Sequence, residues 1–164
     1  MGKLVPNLWF STRAEEAADF YASLLPDSHV DSVVALPADS PSGPAGSVKV
    51  VAFTLMGRPF IAFNGGPFET FNHAISLMVE CDDQEELDRL WAALSEGGQP
   101  ERCGWLKDRY GLSWQIVPSA VRAMMTDVDP ARAKRAAEAM LRMTKLDIAE
   151  LERAYEGRDP QRKA

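Results

Sequence analysis

The alternation of apolar and polar residues predicts a first block of one strand, one helix and three further strands. Residues 4–10 predict the first strand, and Thr12 with Glu15 forms a capping box for a helix that Pro26 ends. The block then predicts a strand, a loop rich in Pro, Gly and Ser, and a hairpin turning near Gly57, at residues 29–36, 37–46 and 47–66.

The same order of elements begins again at residue 73. Residues 73–81 predict a strand, and the following helix takes Asp82 or Asp83 as its N-cap and Gly97 as its C-cap. Residues 111–118 (GLSWQIVP) predict the last strand by their period-two alternation. The two helices match in glutamates and apolar positions when they are aligned at an offset of 70. This match favours an internal duplication of one structural unit.

The composition changes after Pro118, where the chain predicts helices only. Asp129 and Pro130 begin one helix, and Asp147 with Glu150 begins another. The apolar residues on these helices recur as stripes, at Met140, Leu141, Ile148, Leu151 and Tyr155. Such stripes must pack on the chain's own sheet or on a second subunit, and with the sheet edges they predict a homodimer.

Charge and composition narrow the class of partner. The chain has 164 residues and a net charge of −6, which argues against a nucleic-acid partner because phosphate binding needs a basic face. No apolar run reaches the roughly 18 residues of a membrane helix, so no membrane partner is expected. Cys81 and Cys103 form no CxxC pair, and they indicate a reduced, cytoplasmic protein.

Four segments resemble a known family: PNLWFSTRAEEAADFYASLLPDS, FNHAISLMVECDDQEELDRLWAALSEGG, CGWLKDRYGLSWQIVP and AMLRMTKLDIAELERAYEG. With them the chain resembles the PhnB-like subfamily of the vicinal-oxygen-chelate superfamily, often labelled "3-demethylubiquinone-9 3-methyltransferase". The resemblance implies an α+β fold of two βαβββ modules, at about 4–64 and 73–118, paired in a domain over 1–118. Residues 119–164 would form a helical extension. The paired modules would form a curved, cup-shaped sheet like that of glyoxalase I, with the helices outside.

Alternation then predicts which side chains line this cup. The residues expected to face a small-molecule ligand are Asn7, Trp9, Ala62, Ser76, Met78 and Gln115. Their strand neighbours would cover the helices instead; these are Leu8, Phe10, Ile75, Leu77, Trp114 and Ile116. Gln115 is an uncharged amide in an apolar strand, and two interpretations stay open. It either meets the ligand or is a buried amide bonded within the protein.

The superfamily binds a divalent metal through His or Glu at the ends of its strands. The matching positions are Val5, Ala62, Ala74 and Gln115, and none of them supplies an imidazole or carboxylate. His73 lies one residue from the third position and is a weak metal candidate. The departure predicts no metal site and no cofactor.

Four interpretations of the function follow. The leading hypothesis is a metal-independent protein that binds a small organic molecule, whose identity and reaction, if any, the sequence does not specify. The alternatives are a metal-dependent lyase or dioxygenase that uses His73, and the methyltransferase named by the family label. No Gly-rich turn between a strand and a helix supports the last. An interaction protein that acts through its helical tail is a further interpretation.

Residues 105–110 (WLKDRY) predict a loop, either a solvated turn or a site for an anionic ligand.

Overall fold

The computed structural model describes residues 4–158 and contains two modules with the same order of elements. The first module contains β1 (Asn7–Phe10), α1 (Ala14–Leu24), β2 (His29–Ala35), β3 (Lys49–Leu55) and β4 (Arg58–Asn64). The second contains β5 (Leu77–Cys81), α2 (Gln84–Ser95), β6 (Gln99–Pro100), β7 (Trp105–Lys107) and β8 (Ser113–Pro118). Three helices follow: α3 (Val121–Met125), α4 (Pro130–Arg142) and α5 (Ile148–Tyr155).

Each module forms its own four-stranded sheet, and the two sheets have the same topology. The strand orders are β1-β4-β3-β2 and β5-β8-β7-β6. In each sheet the first and last strands of the module pair in parallel, and the other pairs are antiparallel. The α+β class, the two βαβββ modules and the helical extension are therefore confirmed. Internal contacts divide the chain into a unit that ends at Phe71 and a unit that begins at Asn72 and includes α3 to α5.

In the first unit, three alanines allow α1 to lie close to its sheet. Ala14, Ala17 and Ala18 are fully buried, and the large side chain of Tyr21 is fully buried with them. The predicted capping box at Thr12 is wrong: Arg13 is the N-cap, in the left-handed region at φ 68°, and its side chain forms no cap hydrogen bond. The cap comes instead from β4, where the Asn64 Oδ1 atom accepts a hydrogen bond of 2.8 Å from the Ala14 N–H.

In the second unit, local capping follows the sequence prediction. The Asp83 side chain accepts a hydrogen bond from the Glu86 N–H at 2.8 Å, and the Glu86 carboxylate accepts one from the Asp82 N–H at 3.0 Å. Gly97 follows the end of α2 at φ 71°, a conformation that favours glycine. The tail helices begin as predicted, with the side chains of Asp129 and Asp147 as their N-caps.

The tail packs on its own unit through both backbone and side chains. The Cys103 and Gly104 N–H groups donate to the Met143 and Thr144 carbonyls, each at 2.9 Å. Leu146 and Leu151 are buried, whereas Leu141 is 58% exposed.

Within the described range 4–158, no helix combines the length and apolarity that a membrane crossing requires.

The side-chain amide of Gln84 on α2 forms hydrogen bonds to two places in the tail and to one residue of its own helix. Its Nε2 atom donates to the Leu146 carbonyl at 3.2 Å and to Asp88 Oδ1 at 2.8 Å. Its Oε1 atom accepts from the Ile148 N–H at 2.9 Å, at the first turn of α5. Lys145 also contacts Asp88 at 2.6 Å, and the hydrogen bond from Lys145 lowers the pKa of that carboxyl. The tail is therefore attached to α2 by specific polar contacts.

We expect Gln84→Leu to lower the free energy of unfolding by about 1–3 kcal/mol. The change leaves the Leu146 carbonyl and the Ile148 N–H without their partner, and each loss costs about 1 kcal/mol. Urea unfolding followed by circular dichroism measures the change. Gln99→Leu is the matched control, because Gln99 is exposed and a surface change alters stability by about 0.5 kcal/mol or less. Equal unfolding midpoints for the two variants would contradict this account of the tail.

Candidate functional site

Trp9 of the first unit is held in one orientation by three neighbours. Its Nε1–H donates to the Gly66 carbonyl at 2.9 Å, and its ring meets the Phe63 ring edge-on at a centroid distance of 5.0 Å. A Cβ atom on Gly65 would lie 2.1 Å from the indole, so only glycine fits beneath the ring. Asn7, on the same side of β1, donates to its own neighbour, the Val5 carbonyl, at 2.9 Å.

Ala62 does not share a sheet face with Trp9, and the predicted placement is wrong. In the parallel pairing of β1 and β4, Ala62 lies opposite Leu8, and both side chains are buried. Phe63 lies opposite Trp9 instead. The residues of β4 alternate with a period of two, but which of them share a face with Trp9 depends on the register with β1. That register is a non-local property, and a one-residue shift exchanges the two faces.

In the second unit the structure brings Ser76, Met78 and Gln115 together. Gln115 lies opposite Met78 in the pairing of β8 with β5, and its Nε2–H donates to Ser76 Oγ at 2.8 Å. Met78 is 54% exposed. Trp114 and Ile116 alternate with Gln115 and are buried, as predicted, but Ile75 lies before β5 and is 61% exposed. Gln115 thus has a protein partner and is only half-buried.

Trp105 extends this arrangement, although the sequence placed it in a loop. It begins β7 and lies opposite Gln115 in the antiparallel pairing of β7 with β8. Met78, Gln115 and Trp105 therefore form one transverse row across three strands, called here the Gln115 row. The sequence did not predict Trp105 on a strand, because β7 is only three residues long and too short to show an alternating pattern.

His73 lies beside this row and has a carboxylate partner. Its Nε2 atom is 2.6 Å from Glu101 Oε2, and its ring is stacked on Trp105 with a centroid distance of 6.0 Å and an interplanar angle of 19°. The Glu101 N–H donates to the Trp105 carbonyl, which holds the carboxylate next to β7. Glu101 is 28 residues from His73, so no local pattern indicated the pair.

The turn between β7 and β8 is built around a buried carboxylate. Asp108 Oδ1 accepts hydrogen bonds from the Tyr110 and Leu112 N–H groups at 2.8 and 3.1 Å. Its Oδ2 atom accepts one from Trp114 Nε1–H at 2.8 Å. Asp108 is 3% exposed, so the solvated-turn interpretation does not hold for it. Arg109 contacts the exposed Glu96 at 3.1 Å, and this ion pair lies outside the Gln115 row.

The residues present do not fit the divalent metal that the resemblance implied. Gln115 bonds Ser76, Ala62 is buried opposite Leu8, and His73 contacts a single carboxylate. Among residues 4–158, no group of three or more His, Cys, Asp and Glu side chains is arranged to hold a metal ion. A divalent metal needs several such ligands, and the neighbourhood of Gln115 and His73 does not supply them.

The two cysteines are free thiols in different surroundings. Cys81 is fully buried at the end of β5, and desolvation, with the neighbouring Glu86, raises its pKa to about 12. Such a thiol stays protonated at neutral pH and is a poor nucleophile. Cys103 is half-buried, with its backbone N–H bonded to the tail. Neither thiol lies on the Gln115 row.

The six predicted lining residues fall in two units: Asn7, Trp9 and Ala62 in the first, and Ser76, Met78 and Gln115 in the second. Their role in binding a ligand stays a prediction. Trp105, His73 and Glu101 are the additional residues that the second unit places beside Gln115.

Comparisons with known proteins identify relatives of the chain. The sequence profile of the family described as "3-demethylubiquinone-9 3-methyltransferase" matches residues 2–117, and therefore excludes α3 to α5. A PhnB protein from Bacillus cereus is 30% identical with a TM-score of 0.64, and the match covers 72% of this chain and 100% of that chain. Protein PA1353 from Pseudomonas aeruginosa is 24% identical with a TM-score of 0.52, over 70% of this chain and 95% of that chain, which shows the fold alone. No protein of curated function matches.

Proposed function

We propose that this chain, which belongs to the 3-demethylubiquinone-9 3-methyltransferase family, binds a small organic molecule at the Gln115 row. The observation that carries the proposal is the hydrogen bond between Gln115 and Ser76, flanked by Met78 and Trp105 on the same row. A few oriented polar groups among apolar and aromatic side chains are typical of small-molecule sites.

The Gln115–Ser76 pair keeps hydrogen-bonding capacity for a ligand. One N–H of the amide donates to Ser76 Oγ, which leaves the Gln115 carbonyl oxygen and a second N–H. Ser76 accepts this bond and retains its own O–H as a donor. The pair thus offers a donor and an acceptor without charge. A thioether on one side and an indole on the other supply apolar contact.

The two alternative functions, metal-dependent catalysis and methyl transfer, have no comparable arrangement of residues to support them. A metal-dependent lyase or dioxygenase needs ligands that the neighbourhood of His73 and Gln115 does not supply. Methyl transfer, which the family description names, would need a cofactor site such as a Gly-rich turn between a strand and a helix. The links from β1 to α1 and from β5 to α2, Ser11–Arg13 and Asp82–Asp83, contain no glycine. The proposal is therefore binding, and it includes no named reaction.

We extend the proposal to a cytoplasmic homodimer. Both cysteines are free thiols, which agrees with a reducing compartment. Val128 and Leu141 in the tail are 100% and 58% exposed, and an apolar contact with a second copy of the chain would remove them from water. These two residues lie outside the segment matched by the family profile, so the dimer would be a feature of the tail.

We expect ligands found by a thermal-shift screen of metabolites to stabilise the wild-type protein more than Gln115→Leu. Loss of a neutral hydrogen bond costs about 0.5–1.5 kcal/mol, so affinity should fall roughly two- to twelvefold. Titration calorimetry with each hit measures the change. Dialysis against a chelator should leave the binding unchanged, because the proposed site uses no metal.

Gln99→Leu is the control for the loss of an amide at a place outside the row. A hit whose affinity is the same in wild type and Gln115→Leu would show that Gln115 does not contact the ligand. Binding that disappears on chelation and returns with a divalent metal would favour the metal-dependent alternative instead.

For the dimer, we expect light scattering to give twice the chain mass of 18.1 kDa for the wild type, and a lower mass for Leu141→Glu. A charge placed on the exposed apolar tail should weaken association, because the carboxylate would lose water in the interface. Phe68→Glu is the matched control, since Phe68 is an exposed apolar residue outside the tail. A wild-type monomer at micromolar concentration would contradict the dimer proposal.

A further inference from the structure

The contact between His73 and Glu101 has the geometry of a strong, charge-assisted hydrogen bond. The Nε2 and Oε2 atoms are 2.6 Å apart. The Glu101 side chain is 21% exposed, whereas the His73 side chain is 48% exposed. The carboxylate is thus largely shielded by protein, and the imidazole ring remains accessible to a small molecule.

This pair adjoins the Gln115 row through two connections. The His73 ring is stacked on Trp105, which lies opposite Gln115. His73 also lies three residues before Ser76 in the segment that precedes β5, so their Cα atoms are at most about 11 Å apart. The imidazole therefore adjoins the Gln115 row through Trp105, the strand neighbour of Gln115.

The chemistry of the pair follows from which nitrogen faces the carboxylate. When Nε2–H donates to Glu101, the neutral ring has Nδ1 as its hydrogen-bond acceptor. Within the described chain Nδ1 has no hydrogen-bond partner. A proton that arrives at Nδ1 produces an imidazolium ion whose Nε2–H still donates to the Glu101 carboxylate. The other charged residues on this sheet face are Lys107, two residues along β7, and Glu80, two residues along β5.

We propose that His73 and Glu101 form a proton-accepting pair for the acidic hydroxyl group of a planar phenol or enol; this inference rests on the proposed function of the Gln115 row. On binding, the O–H bond of the ligand breaks and its electron pair stays on the oxygen. The proton forms an N–H bond at His73 Nδ1. The product is a phenolate or enolate beside an imidazolium ion, and no oxidant or reductant is needed.

The neighbouring side chains favour this class of ligand. Trp105 is only half-buried, and with the stacked His73 ring it forms an aromatic surface beside which a planar molecule can pack. The uncharged Gln115–Ser76 pair can bond a second oxygen on the same molecule. An aliphatic alcohol would not ionise with an imidazole as base, and a carboxylic acid is already ionised at neutral pH. A phenol or enol lies between these limits.

The probe for the test is 4-nitrophenol, whose absorption moves to longer wavelength when it ionises. We expect the wild-type protein at pH 7, where an ordinary imidazole is mostly neutral, to bind the probe and to raise its phenolate-to-phenol ratio about tenfold, equivalent to a shift of one pH unit. Equilibrium dialysis measures the bound amount, and the absorption spectrum of the bound fraction gives the ratio. His73→Gln should bind the probe as the neutral phenol, and Glu101→Gln should retain less than half of the increase.

The chain offers a matched control, because its only other histidine also contacts a carboxylate. His29 Nε2 is 3.1 Å from Asp31 Oδ1 at an exposed site in the first unit, so His29→Gln should leave the spectrum unchanged. Binding of the probe without ionisation by the wild type would overturn the inference and leave the proposed function standing. The inference would also be overturned if His29→Gln and His73→Gln lowered the phenolate-to-phenol ratio of the bound probe equally. No binding of 4-nitrophenol at millimolar concentration would overturn it as well. The metabolite screen on Gln115→Leu decides the proposed function separately.

Discussion

The second module depends on one buried carboxylate, that of Asp108. A buried charge is costly unless it is fully bonded, and Asp108 accepts from two backbone N–H groups and the Trp114 indole. These bonds set the turn between β7 and β8 and therefore the register of the two strands. The register places Trp105 opposite Gln115, and Trp105 in turn is stacked with His73. The arrangement of the candidate site thus follows from a residue that no ligand needs to contact.

Much of the fold was predictable because its signals are local. Asp83, Asp129 and Asp147 bond N–H groups two or three residues ahead, so the capping pattern is visible in a short segment. The duplicated order of elements was visible for the same reason. The start of α1 was not, because its cap is Asn64, which is 50 residues from Ala14. No local pattern specifies a hydrogen bond of that kind.

The candidate site was predictable only in part, because it depends on registers between strands. The face of Gln115 and Met78 followed from alternation within each strand. Ala62 was misplaced because its phase is set by the pairing with β1. Trp105 and Asp108 were assigned to a loop, since β7 is too short to alternate and a buried aspartate looks like a turn residue. The contact of His73 with Glu101 arises from tertiary packing alone.

Asp108→Asn tests most directly whether the buried carboxylate holds this part of the molecule. The substituted side chain has an NH₂ group in place of one carboxylate oxygen, so either the Trp114 indole or the backbone N–H groups lose their acceptor. We therefore expect the free energy of unfolding in urea to fall by about 2–4 kcal/mol. Asp19→Asn, on the exposed side of α1, provides the reference, with an expected change of about 0.5 kcal/mol or less. If the two variants have the same free energy of unfolding, the carboxylate does not carry the structure, and the account of the Gln115 row is contradicted.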